Sequence, residues 1–280
     1  MTTVRTVGRG RAGRSFAGAL RAVGAEVLEL SGRDPAVRDA ARGVDAVLLA
    51  VPDRAVASVA ASIDPVASTV VMHCSGSLDL DVLAPHGRVA SIHPLATLPD
   101  SVIGAVRLRT GGYFVVDGDP FAADVALALG GHPLVLAPGG RARYHAAAAI
   151  AANHLVALLG QVERVASTVG LPLEAFLPLA RGALDDVGML GARAALTGPA
   201  ARGDAATIER HLQALDASER GAYLTGVDLA RRLLAADEDE SARDESAQGA
   251  TGLRRRASGV GPRAALSAKA QASSAAVWNS

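Results

Sequence analysis

Lysine is almost absent from this chain: of 28 basic side chains, 27 are arginine and the single lysine is Lys269. Walker-type phosphate loops and Schiff-base enzymes need a lysine amine inside a folded site, and residue 269 falls in a segment that reads as a tail, so both mechanisms are excluded. Cysteine is as scarce. Cys74 stands alone, which rules out an intrachain disulfide framework and a cysteine-rich zinc site, and no metal centre is expected. Aromatic residues make up only 3% of the chain, leaving few platforms on which nucleic-acid bases could stack. The 28 acidic side chains cancel the basic ones, so no global charge marks a nucleic-acid or membrane partner. Nor is there an uninterrupted apolar run of about 18 residues. The best candidate, residues 146–159, contains Asn153 and His154 and reads as a buried helix of a soluble protein. MTTVRTVGRGRAGRSF carries arginine and glycine where a secretory signal needs its apolar core, and a reducing cytoplasm is the expected location.

What the chain has in quantity is alanine, 60 residues of 280, which suits helices packed closely through small side chains. Short β-branched runs alternate with alanine-rich segments at residues 3–7, 25–30, 45–51, 69–73, 88–92, 113–116 and 133–136. Several are apolar on both faces. Such runs, separated by helix-sized segments, predict a Rossmann-like α/β domain, a parallel sheet covered on both sides, over residues 1–137.

After Pro138-Gly139-Gly140 the pattern becomes helical. In residues 141–169, Ala151, Leu155, Leu158, Val162, Val165 and Val169 recur at spacings of three and four and form one apolar stripe. Further helices are expected at 173–194, 204–215 and 217–236, with Asp204 as an N-cap, giving an all-helical domain over 138–236. Residues 237–280 hold an acidic block, then a basic one, among Ser, Gly and Ala. With few large apolar side chains to offset ordering entropy, this segment reads as a disordered tail.

The sharpest chemical signal is TVRTVGRGRAGRSFAGAL. Gly8, Gly10 and Gly13 form GxGxxG between an apolar strand and an amphipathic helix that Arg11 opens. In a dinucleotide-binding turn the first glycine permits the tight bend, the second lets a pyrophosphate reach the backbone, and the third lets helix and strand pack closely. The helix N-terminus then presents free N–H groups to the phosphates. The second strand ends Glu29-Leu30-Ser31-Gly32-Arg33. If Ser31 and Arg33 form the tip, a ribose 2′-phosphate meets a hydroxyl and a guanidinium and the cofactor is NADP; if Glu29 reaches the ribose, it is NAD. Val51 and Pro52, at the end of the third strand, are small and apolar enough for a cofactor to lie over them.

The segments GRGRAG, LLAVPDRAV, HCSGSLDLDVL, SIHPLATL, ARYHAAAAIAANHLVAL and ALTGPAARGD, in this order, resemble a bacterial family of predicted oxidoreductases that join a Rossmann-like domain to a helical domain of unknown function. That family is similar to ketopantoate reductases and pyrroline-5-carboxylate reductases. The resemblance spans about residues 4–232. It implies NADP-dependent reduction of a small carbonyl or imine and a homodimer built through the helical domain.

Hydride delivery to a ketone creates an alkoxide, which needs a proton donor and a preorganised hydrogen-bond partner. His93 follows a short apolar strand and is expected at its C-terminal end, either in a site or capping the strand through a backbone bond. Ser75-Gly76-Ser77 follows the preceding strand, and Ser75 is a candidate contact to the nicotinamide ribose. Cys74 reads as a small buried residue. Tyr144, His145 and Asn153 interrupt the alanine-rich helix, with His145 and Asn153 able to line one cleft and His154 pointing elsewhere. Thr197 and Arg202 are candidates for binding a substrate carboxylate. Ketopantoate reductases place a lysine four residues before a catalytic asparagine, whereas position 149 here is alanine. A 2-oxo acid of the ketopantoate type would therefore take its proton from His145, His93 or water. An iminium substrate, already charged, would need no strong acid. A third reading is a regulatory dinucleotide-binding module without catalysis.

Overall fold

A computed structural model of the chain describes residues 1–235; the tail expected at 237–280, and Lys269 with it, lies outside the described residues. Seven strands, β1 (Thr3–Val7), β2 (Glu26–Leu30), β3 (Ala46–Leu49), β4 (Val70–His73), β5 (Val89–Pro94), β6 (Tyr113–Gly118) and β7 (His132–Leu134), form one sheet in the order β2-β1-β3-β4-β5-β6-β7. The first five are parallel, as the doubly apolar runs predict.

The last two depart from the expected parallel sheet. β6 runs antiparallel to β5, and β7 is parallel to β6. Helix α3 (Ser101–Arg107), of 7 residues, lies in the connection between β5 and β6. It rests against α1, and the chain re-enters the sheet from the end at which it left.

Helix α1 (Arg11–Ala22) buries Phe16, Ala17 and Leu20 on one face of the sheet, among Val4, Leu48, Met72, Ile92 and Phe114. The other face buries Val7, Leu49, Val71 and Leu83 against Val56 and Val59 of α2 (Asp53–Ser62). β3 and β4 are buried along their whole length, which accounts for their lack of polar alternation. Small residues let the helices close up: a Cβ on Gly104 of α3 would lie 2.1 Å from Ser15 Oγ of α1. Helix α4 (Phe121–Ala128) covers the β5–β7 end of the sheet.

Beyond the sheet the expected continuous helix over 141–169 is interrupted. α5 (Arg141–Ala149) and α6 (Leu155–Ser167) flank a π-helical turn, Ile150–His154. The stretch Arg141–Ser167 is long and apolar enough to cross a membrane by length and composition alone, although its first turn buries Arg141; none of residues 146–159, expected as a buried helix, is buried. The expected helix at 173–194 is broken at Gly191 (φ +80°) into α7 (Leu177–Leu190) and α8 (Ala192–Ala195). α9 (Ala205–Ala214) and α10 (residues 217–235) follow, and the Asp204 carboxylate accepts from Thr207 N–H as the cap of α9.

The chain divides into two compact units at Gly160 and Gln161, so α5 packs with the sheet, whereas the sequence pattern draws a boundary between 137 and 138. The second unit is held by Arg164 and Gln161 on Glu219 and by buried Ile208 and Val227, while α7 leaves Leu179 and Met189 each 73% exposed.

The three motif glycines are needed for different reasons. Gly8 has φ +119°, and a Cβ there would lie 2.3 Å from Ala50 O; a Cβ on Gly13 would lie 1.9 Å from Gly8 O. Gly10 has an ordinary φ of −74° and nothing within 4 Å of the position a Cβ would take. Gly13→Ala is therefore expected to destabilise the fold by about 2–4 kcal/mol, while Gly10→Ala costs at most about 1 kcal/mol, both read from urea unfolding midpoints. Equal losses from the two substitutions would contradict this division of roles.

Candidate active site

The order in which strands join the sheet reverses between β1 and β3, parallel neighbours although β2 separates them in sequence. Open α/β sheets bind ligands at such a point, beyond the C-terminal ends of the strands. The glycine turn lies there. α1 begins directly after Gly10 with no side-chain cap and no acid in its first turn, and its first intrahelical bond runs from Arg14 N–H to Gly10 O. The amides of Arg11, Ala12 and Gly13 thus point beyond the helix end, next to the open space at Gly10. A phosphate fits this arrangement, since the backbone supplies the donors and Gly10 alone of the three glycines has no packing reason to lack a side chain.

The neighbouring strand tips complete the crevice. Val51 is half-buried, and a Cβ on Gly32 would lie 2.8 Å from its Cγ1, so the Ser31-Gly32-Arg33 turn is drawn against the end of β3. Arg33 is exposed there, and its N–H donates to Ser31 Oγ at 3.4 Å. The competing carboxylate, Glu29, is engaged elsewhere: Arg21 Nη2 of α1 lies 2.7 Å from its Oε1. Arg9, absent from the sequence-based candidates, donates to Glu29 O at 3.2 Å from within the glycine turn. Pro52 precedes α2 and places Asp53 in its first turn.

Asp53 is the second residue that sequence reasoning passes over. Its Oδ2 accepts from Ser75 Oγ at 2.9 Å and from Ser77 Oγ at 2.7 Å, tying the end of β3 to the end of β4. Ser75 Oγ also accepts from Ser77 N–H and Leu78 N–H, which shapes the turn. The one signal in the sequence is a carboxylate directly after Pro52, an ordinary first-turn acid. Cys74 is half-buried with its thiol towards Leu49 O, and burial pushes it up to about 12, so it is no nucleophile.

Two imidazoles close on Gly76. A Cβ on Gly76 would lie 2.7 Å from His145 Nδ1, 2.8 Å from His93 Cε1 and 2.9 Å from His93 Nε2. His93 Nδ1 is hydrogen-bonded to the Tyr144 hydroxyl, not to the backbone, and its ring meets that of His145 edge to face at 6.0 Å. β5 thus presents His93, and α5 lays Tyr144 and His145 against it. Burial, then the charges of His145 and Arg141, outweigh Asp53 and push the His93 imidazole down to about 4. His93 is accordingly neutral at pH 7. Burial pushes the Tyr144 phenol up to about 12, so it keeps its proton. His73, fully buried on the same face of the sheet, accepts from Ser75 N–H through Nδ1 and is also held low by burial.

Arg141, at the start of α5, is 7% exposed. Its Nε lies 3.2 Å from Asp79 Oδ1, and its Nη2 lies 3.1 Å from Asp117 Oδ2 and donates to Ser91 Oγ at 3.0 Å. Neither the arginine nor its partners stand out in the sequence, because their contacts join segments up to 62 residues apart (Asp79 and Arg141).

Asn153 is exposed within the π-helical turn, which shifts its angular position from the straight-helix geometry that aligned it with His145, and His154 is exposed beside it. Thr197 and Arg202, both exposed, belong to the second unit.

Comparison with known proteins fits this architecture. Residues 113–228 match a family described as a domain of unknown function, DUF2520. No curated protein matches the chain. Among solved structures, a Thermotoga maritima protein is 24% identical with a TM-score of 0.65, covering 84% of this chain and 99% of its own. A candidate NADP oxidoreductase from Bacteroides fragilis is 18% identical with a TM-score of 0.68, covering 82% and 98%. A reductive aminase from Aspergillus terreus, in complex with NADPH and ethyl levulinate, is 17% identical with a TM-score of 0.60, covering 85% and 94%. These likenesses establish the fold: a Rossmann-like α/β sheet followed by helices.

Proposed function

We propose that this protein is an NADP-dependent oxidoreductase that reduces a small carboxylate-bearing carbonyl compound, a 2-oxo acid of the ketopantoate type. The observation that carries this reading is the approach of His93 and His145 to Gly76, with Tyr144 on His93 Nδ1, at the same sheet edge as a glycine turn with an open phosphate position. NADP over NAD is supported by the exposed Arg33 beside Ser31, by the engagement of Glu29 with Arg21, and by the NADP and NADPH of the Bacteroides and Aspergillus neighbours.

NADPH, when bound, supplies a hydride to the carbonyl carbon. The charge then developing on the carbonyl oxygen is met by the chain's own donors. With Tyr144 donating its hydroxyl hydrogen to Nδ1, the neutral His93 ring carries its proton on Nε2, on the side of Gly76. That proton passes to the alkoxide as the Tyr144 proton moves onto Nδ1, and water reprotonates the phenolate. A tyrosine and a neutral imidazole suffice because an alkoxide is a stronger base than either conjugate. The positive charge of Arg141 near His93 favours this growing anion and disfavours a bound iminium cation, which sets the carbonyl reading ahead of imine reduction. A second copy of the chain is the proposed partner, with the exposed Leu179 and Met189 of α7 in the contact, and the cytoplasm is the proposed location.

Three outcomes check this reading. NADPH binds to the wild-type protein, Gly10→Ala weakens it at least tenfold, and Arg33→Ala weakens NADPH but not NADH, all by fluorescence titration; comparable NADH and NADPH affinities unaffected by Arg33→Ala would sink the NADP assignment. In an absorbance assay with a panel of 2-oxo acids and cyclic imines, His93→Ala and Tyr144→Phe lower kcat for the oxo acid by about 10²-fold or more with little change in NADPH affinity; oxo-acid turnover untouched by both substitutions would refute the donor pair. Because the folded protein holds His93 low, the unfolded chain binds more protons below pH 6.5. Stability is fully present above that value and falls on the order of 2 kcal/mol as pH drops towards 4, and His93→Asn removes much of that slope in urea unfolding.

A further inference from the structure

We propose that Arg141 is a positioning residue of this site, fixing the rotation and depth of α5 so that Tyr144 and His145 meet His93. The inference rests on the reading above and extends it to a side chain that touches neither the substrate nor the cofactor position.

Burying a guanidinium costs several kcal/mol unless its partners are well placed, and apolar residues of similar volume often serve stability as well or better. Arg141 is nevertheless buried at the start of α5, where Gly140 provides no side-chain cap. Its three partners come from three separate segments: Asp79 from the turn after β4, Ser91 from β5 and Asp117 from β6. Both carboxylates reach in from the surface, with side chains 78% and 51% exposed. Its Nη1 is buried without a partner among the described residues, a cost that a purely structural cluster would have no reason to retain. Tyr144 and His145 follow three and four residues later, on the same helix face, so the anchored first turn dictates where both rings fall.

The anchor is also electrostatic. The groups facing His93 are Tyr144, His145 and Arg141 from α5, His73 from β4 and Asp53 from the first turn of α2. Arg141 is the only permanent cation among them. Removing its charge should let His93 take up a proton more readily, whereas a merely structural contact would leave that titration alone.

The test uses the full chain with ¹³C-labelled histidine, following the His93 resonance with pH and measuring NADPH affinity and turnover separately. Arg141→Gln is expected to move the His93 midpoint up from about 4 towards 6.5 and to lower kcat at least tenfold, with NADPH affinity within about twofold of wild type. Arg141→Lys keeps the charge but cannot bridge Asp79 and Asp117 together, so the midpoint holds while the His93 resonance shifts and kcat drops. Arg143→Gln, an exposed neighbour, changes nothing. A folded Arg141→Gln protein with an unmoved His93 midpoint overturns the proposal. If that variant does not fold, an Arg141→Lys protein with wild-type His93 resonance and kcat overturns it instead. Absence of NADPH binding or turnover in the wild-type protein sinks the oxidoreductase reading, while the His93 titration still decides whether Arg141 sets the state of that ring.

Discussion

The close approach of Gly8 to Ala50 and of Gly13 to Gly8 O is the constraint on which the rest of the structure turns. It locks the start of α1 against the ends of β1 and β3 with no side chain between them. That contact turns the helix's unpaired amides towards the crevice where the strand order reverses in the sheet. Gly10, free of any packing demand, then marks where the protein leaves room for something else. A motif that is weak as a string of letters becomes strong once two of its glycines are explained by the fold and the third is not.

From this edge the site extends along the strand ends. Asp53 couples the β3 end to the serine turn after β4, Gly76 allows two histidines to approach that turn, and α5 brings Tyr144 onto His93. The polar side chains all lie on the sheet face opposite Phe16, in a region where α5 takes over as cover. The scarcity of lysine acquires a physical counterpart here. With no lysine among the described residues, the proposed proton transfer falls to a buried neutral imidazole backed by a phenol, with an arginine behind them holding the local potential positive.

Much of the first unit could be read from residues alone. Short β-branched runs predicted all seven strands, β3 and β4 being buried on both faces and so without polar alternation, and the glycine turn located the crevice. The reversal at β6 was illegible, since it depends on where α3 packs, against α1, rather than on a residue type in the strands. His93 and His145 stood out as polar interruptions of apolar segments; Asp53, Arg9 and Arg141 did not, because each is an unremarkable residue until a partner distant in sequence is brought to it. The phase of the helix at Asn153 was illegible too: the π-helical turn at Ile150–His154 shifts it, and no residue type there announces it.

The central claim is that the glycine turn and the His93 cluster serve one reaction. A crystal structure of the protein with NADP and a non-reducible 2-oxo acid analogue tests it most directly. The expected result places the pyrophosphate on the amides after Gly10, the 2′-phosphate beside Arg33, and the carbonyl oxygen within hydrogen-bonding reach of His93 Nε2, about 2.6–3.2 Å. A nicotinamide ring bound away from Gly76, or a carbonyl oxygen turned from both His93 and His145, would contradict it.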